Sequence, residues 1–219
     1  MSDRVRKSPG RPPVTDHAAI ETVAFRLFAE RGFDATSLDD IAAAVGVGRR
    51  TLFRYYKSKN DIPWGQFDAS LVHLARHLDD MPEDVPVHVA VQRAVIEFNR
   101  LDPGAVASHR QRMRLILDTP ALQAHSVLRY QQWRAVITNF VARRLGLDPA
   151  DLLPRTAGQV TLALALSAYE QWLADVDSSL DALLAATLSA LKTYLDAGVG
   201  DSEDQRPNAA YSSGRKRDR

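Results

Sequence analysis

Arginine, lysine and tyrosine side chains gathered on one short segment suit one kind of chemistry: holding phosphates and the polar edges of bases. Val47 to Lys59 of this 219-residue chain, VGRRTLFRYYKSK, packs five basic residues and three aromatics into thirteen positions. No acid stands between Gly48 and Asn60. On a helical wheel of about 100° per residue, Arg49, Arg50, Phe53, Arg54 and Lys57 fall within about 140° of one another. Leu52 and Tyr56 lie opposite, beside Val47, with Thr51 and Tyr55 flanking them. One face is built for a core and the other presents positive charge and an exposed ring. A solvated helix usually mixes signs, because opposite charges at i,i+4 support it. An all-positive face repels itself unless an anion lies against it. Arg forks onto guanine O6 and N7, and Thr or an aromatic edge meets a thymine methyl. Lys and Tyr suit phosphates, which fix position without reading sequence. An ordinary solvated face is the plainer alternative.

Other chemistries lack their parts. The chain has no cysteine, so it has no disulfide framework, thiolate nucleophile or thiolate metal site. No G-x-S-x-G elbow, phosphate-binding glycine loop or H-E-x-x-H occurs. His73 and His77 stand four apart, but a metal site needs a third ligand. Asp79, Asp80, Glu83 and Asp84 read as a solvated turn. The expectation is a protein that is not an enzyme, with no cofactor and no metal.

The basic segment needs elements to hold it. The composition, 45% hydrophobic and 25% charged, is that of a globular protein with a sizeable core. Charge divides unevenly: residues 1–60 carry 11 Lys+Arg against 7 Asp+Glu, and residues 61–200 carry 12 against 16. A basic first quarter and an acidic body suggest different partners for the two parts. Met1 to Asp16 is polar and basic, unlike a secretory signal, and no run reaches the roughly 18 apolar residues of a membrane span. A cytoplasmic location is expected.

Strand signals are missing and nearly every segment has helical period, so the fold class is all-α. Ile20, Val23, Ala24, Leu27 and Phe28 form one stripe on a helix from about Asp16 to Glu30, which Gly32 ends as a left-handed cap. Ser37 with Asp40 resembles a capping box opening a second helix over Leu38, Ile41, Ala42 and Val45. Gly46-Val47-Gly48 leaves room only for a tight turn, and a third helix begins near Arg49. Two short helices joined by a glycine turn are the helix-turn-helix pattern.

Ala24–Ile62, AFRLFAERGFDATSLDDIAAAVGVGRRTLFRYYKSKNDI, resembles the DNA-binding domain of the TetR family of bacterial regulators over about forty residues without a gap. The resemblance implies that Arg49, Arg50, Thr51 and Phe53 read bases. It implies that Ser37, Tyr55 and Lys59 hold phosphates, with Thr36 beside them, and that Leu52 and Tyr56 are core. Arg54 and Lys57 would add electrostatic support. A small residue often stands where this chain has Arg50, and the double Arg suggests a G-containing operator. The implied partner is a double-stranded DNA operator. The arm, residues 1–15, holds Arg4, Arg6, Lys7 and Arg11; minor-groove contact and plain solvation are both open for it.

The expected organisation is a disordered arm (1–15), a helix-turn-helix domain (16–60), a helical effector-binding and dimerisation domain (61–199) and a disordered tail (200–219). A lever helix is expected from near Asn60, with Pro63 in its first turn and Trp64, Phe67 and Leu71 on its stripe. Further helices are expected over about 86–101, 105–118, 120–146 and 149–174. An effector pocket between them would draw on Phe67, Phe98, Arg112, Met113, Ile116, Tyr130, Trp133, Ile137 and Tyr169. Arg110, Arg112 and Arg114 could each receive an anionic head group. Such stripes are more often core than pocket. RRTLFRYY, IPWG and HRQRMRLILDTPALQAHS are similar to members of the family near the mycofactocin-system regulator. That likeness implies a long-chain acyl-CoA effector. The two last long helices are apolar around most of their circumference and are expected to pair with a second copy in a homodimer. A ligand-released repressor is the expected function; an activator, or an architectural DNA-binding protein without an effector, is the alternative.

Overall fold

The structure is a computed structural model and describes residues 16–197. The expectations for the arm and for residues 200–219 lie outside these. All regular elements of the described residues are helical. Helix α1 spans His17–Arg31, α2 Leu38–Val45 and α3 Arg49–Tyr55. A 3-10 helix, Lys59–Trp64, leads into α4 (Phe67–Asp79). Then come α5 (Val87–Phe98), α6 (Val106–Asp118), α7 (Pro120–Leu145), α8 (Leu152–Ala174) and α9 (Leu180–Asp196).

Local chemistry sets the boundaries in the first module. The Asp16 side chain caps α1 by accepting from the Ala19 N–H at 2.8 Å. Ser37 and Asp40 form the reciprocal capping box read from the sequence. Gly46 adopts the left-handed conformation (φ 79°, ψ 29°), and the Val47 N–H reaches back to the Ala42 carbonyl. That closure fixes the turn before α3. Gly32 also has a positive φ, 85°, but its ψ of 156° makes it an extended kink, not the left-handed cap expected.

The lever departs from the sequence reading. No α-helix begins at Asn60. Ser58 and Asp61 build a second capping box, and a 3-10 helix follows with Pro63 buried inside it. Gly65 then turns the chain with φ 54° and ψ −128°, and α4 starts only at Phe67. A Cβ on Gly65 would lie 2.9 Å from Arg112 Nη1 and 3.1 Å from Glu21 Oε1. The positive φ and this close approach both require glycine.

Two cores result. Ile20, Ala24, Leu27, Phe28, Phe33, Ile41, Ala42, Leu52 and Tyr56 fill the first, joined by Ile62 and by Leu122 from α7. The helix-turn-helix therefore closes its core partly with the body. The second core packs α4, α5, α7, α8 and α9 around Leu74, Leu78, Trp133, Ile137, Phe140 and Trp172. Helices α7 and α8 meet closely at Gly158, where a Cβ would stand 2.5 Å from Thr138 Oγ1 and 3.1 Å from the Arg134 carbonyl oxygen. Gly158→Ala is expected to lower unfolding free energy by about 1–3 kcal/mol through overpacking. Denaturant titration checks this, and adding Thr138→Ala should restore part of the loss.

Candidate DNA-contact helix and effector cavity

Helix α3 has the two faces its sequence describes. Leu52 is fully buried and Tyr56 is 3% exposed, while Phe53 stands 37% exposed. Arg49 and Arg50 are exposed in the first turn, and Arg54 and Lys57 are also exposed. Arg49 pairs with Asp39 of α2 at 3.2 Å and lies 5.4 Å from the Phe53 ring centre. Both partners of that pair are mostly in water, so it orients Arg49 more than it stabilises the fold. Arg50, Arg54 and Lys57 make no hydrogen bond or ion pair with another described residue. Thr51 and Tyr55 are half-buried at the edge of the face. The Tyr55 and Tyr56 rings pack edge-on against His17 of α1, at 5.0 and 5.2 Å.

Three expected contact residues sit differently. Thr36 is buried, and its hydroxyl donates toward the carbonyls of Gly32 (2.8 Å) and Leu27 (3.4 Å). Its side chain secures the turn between α1 and α2 and is not presented outward. Lys59 donates to the carbonyls of Phe33, Asp34 and Thr36 at 2.7–3.2 Å and lies over the Phe33 ring. Three acceptors for three ammonium protons make it a loop clasp in place of the free phosphate anchor expected. The Ser37 hydroxyl is likewise engaged with Asp40, and that hydrogen bond holds the Asp40 carboxyl below its usual pKa.

A cavity of about 510 Å³ opens between the two modules. Of the residues expected at an effector pocket, Phe67, Phe98, Arg112, Met113, Ile116, Tyr130, Trp133 and Tyr169 line this cavity. Ile137 does not: it is fully buried in the α7 core. The sequence reading missed His17, Ala18 and Glu21 of α1, Trp64 of the 3-10 helix, and Asn99, His109, Leu162 and Leu166. The signal for His109 was present, because His109, Arg112, Met113 and Ile116 follow i, i+3, i+4, i+7 on one face of α6. The same period turns Arg110 and Arg114 away. Arg110 is 8% exposed, stacks over Trp172 and donates to the carbonyls of Trp172, Asp175, Val176 and Ser178 at the end of α8. Arg114 donates to the Leu173 carbonyl. Of the three arginines, only Arg112 faces the cavity.

Two hydrogen-bonded clusters lie in the wall. At one, the Tyr169 hydroxyl donates to Asn99 Oδ1 at 2.7 Å and lies 2.8 Å from His109 Nε2. Tyr169 has one proton and gives it to Asn99, so His109 Nε2 is the donor to the Tyr169 oxygen. Burial, and secondarily the Arg112 charge, push the His109 pKa down to about 4. At the other, Arg112 meets Glu21 at 2.5 Å and donates to the Pro63 carbonyl at 3.0 Å. Glu21 also accepts from the Tyr56 hydroxyl at 2.7 Å. The buried Nε1 of Trp64 and Nδ1 of His17 have no hydrogen-bond partner among the described residues.

A helix-turn-helix mounted on a helical body with an internal cavity is the architecture of a ligand-binding transcriptional regulator. Residues 20–62 match the family described as bacterial regulatory proteins, tetR family, and residues 85–196 match the MftR C-terminal domain. A relative from Mycobacterium tuberculosis, named as a mycofactocin biosynthesis transcriptional regulator, MftR, is 46% identical over 187 residues, 85% of this chain and 94% of its own. The HTH-type transcriptional regulator TcmR of Streptomyces glaucescens is 29% identical over 175 residues, 77% of each chain. Among solved structures, Thermus thermophilus FadR in complex with lauroyl-CoA superposes with a TM-score of 0.51 at 20% identity, covering 91% of this chain and all of that one. The SmeT–triclosan complex gives a TM-score of 0.57 at 21% identity, covering 80% and 90%. The chain belongs to the TetR family of bacterial transcriptional regulators, with a C-terminal domain of the MftR type.

Among the described residues, no three His, Cys, Asp or Glu side chains group as metal ligands, and no helix is long and apolar enough to cross a membrane. The depressed His109 makes a pH prediction. The unfolded chain takes up a proton near pH 6.5 that the folded histidine refuses until about pH 4. Stability is therefore complete above pH 6.5 and falls as pH drops through this window, by roughly 2–3 kcal/mol. His109→Gln is expected to lose that portion of the slope, measured by urea unfolding at pH 7.5 and 4.5.

Proposed function

We propose that this chain is a homodimeric repressor, acting in the cytoplasm and released from its operator by an apolar or amphipathic effector. The observation that carries this reading is the composition of the cavity wall. His17, Ala18 and Glu21 belong to α1 of the helix-turn-helix, and the remaining lining comes from the 3-10 helix and the body. A molecule filling this space touches the DNA-reading module and the body at once. In this reading residues 16–60 read DNA and residues 61–199 bind effector and dimerise.

A long-chain acyl-CoA is the effector the chemistry favours. The cavity volume falls within the usual range of ligand sites. Its wall is aromatic and aliphatic, with Arg112 as a counter-charge for a carboxylate or phosphate. The solved FadR likeness holds lauroyl-CoA. Exposed apolar side chains on and beside α8 and α9, including Leu153 (56%), Val160 (36%) and Leu195 (61%), support dimerisation through those helices. The dimer would set two α3 helices about 34–36 Å apart, one turn of DNA. Linkage requires that the effector weaken DNA binding by the same factor as DNA weakens effector binding.

Fluorescence anisotropy of labelled operator DNA, titrated with lauroyl-CoA at fixed salt, tests the reading. Displacement is expected; full retention of DNA at saturating acyl-CoA contradicts this effector. Arg50, exposed in the first turn of α3 and without a partner among the described residues, is the proposed base reader. Arg50→Ala is expected to cost about 1–3 kcal/mol of operator affinity and to relax preference at one base pair. Unchanged affinity and preference would remove that role.

A further inference from the structure

The cavity holds one guanidinium, Arg112, and one carboxylate, Glu21, and they are bound to each other. This pair comes from different modules. Arg112 lies on α6 of the body and Glu21 on α1 of the helix-turn-helix. Their side chains are only 25% and 16% exposed, so the contact is poorly screened by solvent. Arg112 is also held by the Pro63 carbonyl and lies 5.0 Å from the Phe25 ring centre. The second oxygen of Glu21 accepts from the hydroxyl of Tyr56, the residue that terminates α3. A continuous chain of contacts therefore runs from the cavity through Arg112 and Glu21 to the end of the DNA-facing helix.

Resting on the reading that the cavity takes an effector, we propose that Glu21 is a built-in stand-in for the effector's anionic group, and that effectors act by taking Arg112 from it. The ligand class is an apolar tail ending in a carboxylate or phosphate. The tail lies among Phe98, Met113 and Trp133, and the anion forks onto Arg112. The buried indole N–H of Trp64, which lacks an acceptor among the described residues, supplies a donor for a carbonyl or second anionic oxygen.

Exchange of one anion for another on Arg112 leaves the guanidinium satisfied and Glu21 without its cation. An unpaired carboxylate in a mostly enclosed site is costly, and removing one partner of such a pair costs far more than the pair contributes. Glu21 escapes the cost by moving toward water, and it carries α1 and its bond to Tyr56 with it. The missing side chain of Gly65 leaves room for both groups, since a Cβ there would stand 2.9 Å from Arg112 Nη1 and 3.1 Å from Glu21 Oε1. A neutral amphiphile of the same length fills the cavity without competing for Arg112. The differential contact that an effector must make in the two states is thus a single ion-pair exchange.

The test uses the full chain and its Glu21→Gln and Arg112→Gln variants, titrated with dodecanoate, lauroyl-CoA and dodecanol by tryptophan fluorescence. Release of labelled operator DNA is read in parallel. In the native chain at least one of the two anions should bind about tenfold or more tighter than dodecanol, and that anion alone should release DNA. Which anion does so separates a fatty acid from an acyl-CoA. Glu21→Gln keeps the shape but removes the competing charge, so anion affinity should rise about tenfold while dodecanol is unchanged. Arg112→Gln should abolish the preference for anions. Thermal melts of both variants confirm that they are folded. Equal DNA release by dodecanol and the anions, or unaltered or weaker anion binding by folded Glu21→Gln, overturns the exchange while the effector reading stands. No binding of any probe overturns both.

Discussion

A carboxylate taken largely out of water needs a cation and a hydrogen-bond donor, and Glu21 finds them on different parts of the molecule. Arg112 comes from α6 and the Tyr56 hydroxyl from the end of α3. Hydrogen bonding to Glu21 and burial hold the Tyr56 phenol protonated, burial being the larger effect, so the donor is permanent. The apolar joint around this pair is shared: Ile62 of the 3-10 helix and Leu122 of α7 both sit in the core of the helix-turn-helix. Arg129 of α7 extends the joint by pairing with Asp61 and Asp68 across the same turn. Neither module satisfies its polar groups alone, and that mutual dependence sets how they sit.

The same dependence explains why the cavity lies where it does. A fully packed joint would bury the pair without leaving room for a ligand. Here Trp64 stacks edge-on against Phe67 and Tyr130, and these rings hold the wall open as a frame. Elsewhere in the wall, His109, Tyr169 and Asn99 form a hydrogen-bonded chain, and burial, with the Arg112 charge second, keeps the histidine neutral. The two polar sites differ in kind. One is settled among its own members. The other joins elements that belong to different modules, Arg112 on α6 and Glu21 on α1.

Much of the fold was legible because local chemistry and tertiary packing agree. Ser37 with Asp40, the glycine turn at Gly46, and the split of α3 into Leu52 and Tyr56 against Arg50 and Arg54 follow from propensity and period alone. The misses arise where tertiary contacts decide. Pro63 suits a first helical turn, yet the Ser58–Asp61 capping box opens a 3-10 helix there, and the positive φ of Gly65 turns the chain before α4 begins. Lys59 and Thr36 lie in segments that are polar in sequence, but open carbonyls at the end of α1 claim the Thr36 hydroxyl and those of the following turn claim the Lys59 ammonium. Ile137 and Trp133 share a stripe on α7 and a place in its core, and only Trp133 also reaches the cavity wall. The three arginines of α6 needed their helical phase, which was available, and the acceptors of Arg110 and Arg114 at the end of α8, which were not. Nothing in the sequence placed Glu21 at the cavity, since it stands on the first helix, 91 residues from Arg112.

The central claim is that Glu21 and Arg112 act as one unit in coupling effector to DNA. A double-mutant cycle on the two residues, read as the ratio of effector dissociation constants with and without saturating operator, tests it most directly. The account predicts that Glu21→Gln and Arg112→Gln each remove most of the coupling and that the double variant loses no more than either alone. Additive losses, or full coupling retained in the double variant, would contradict it.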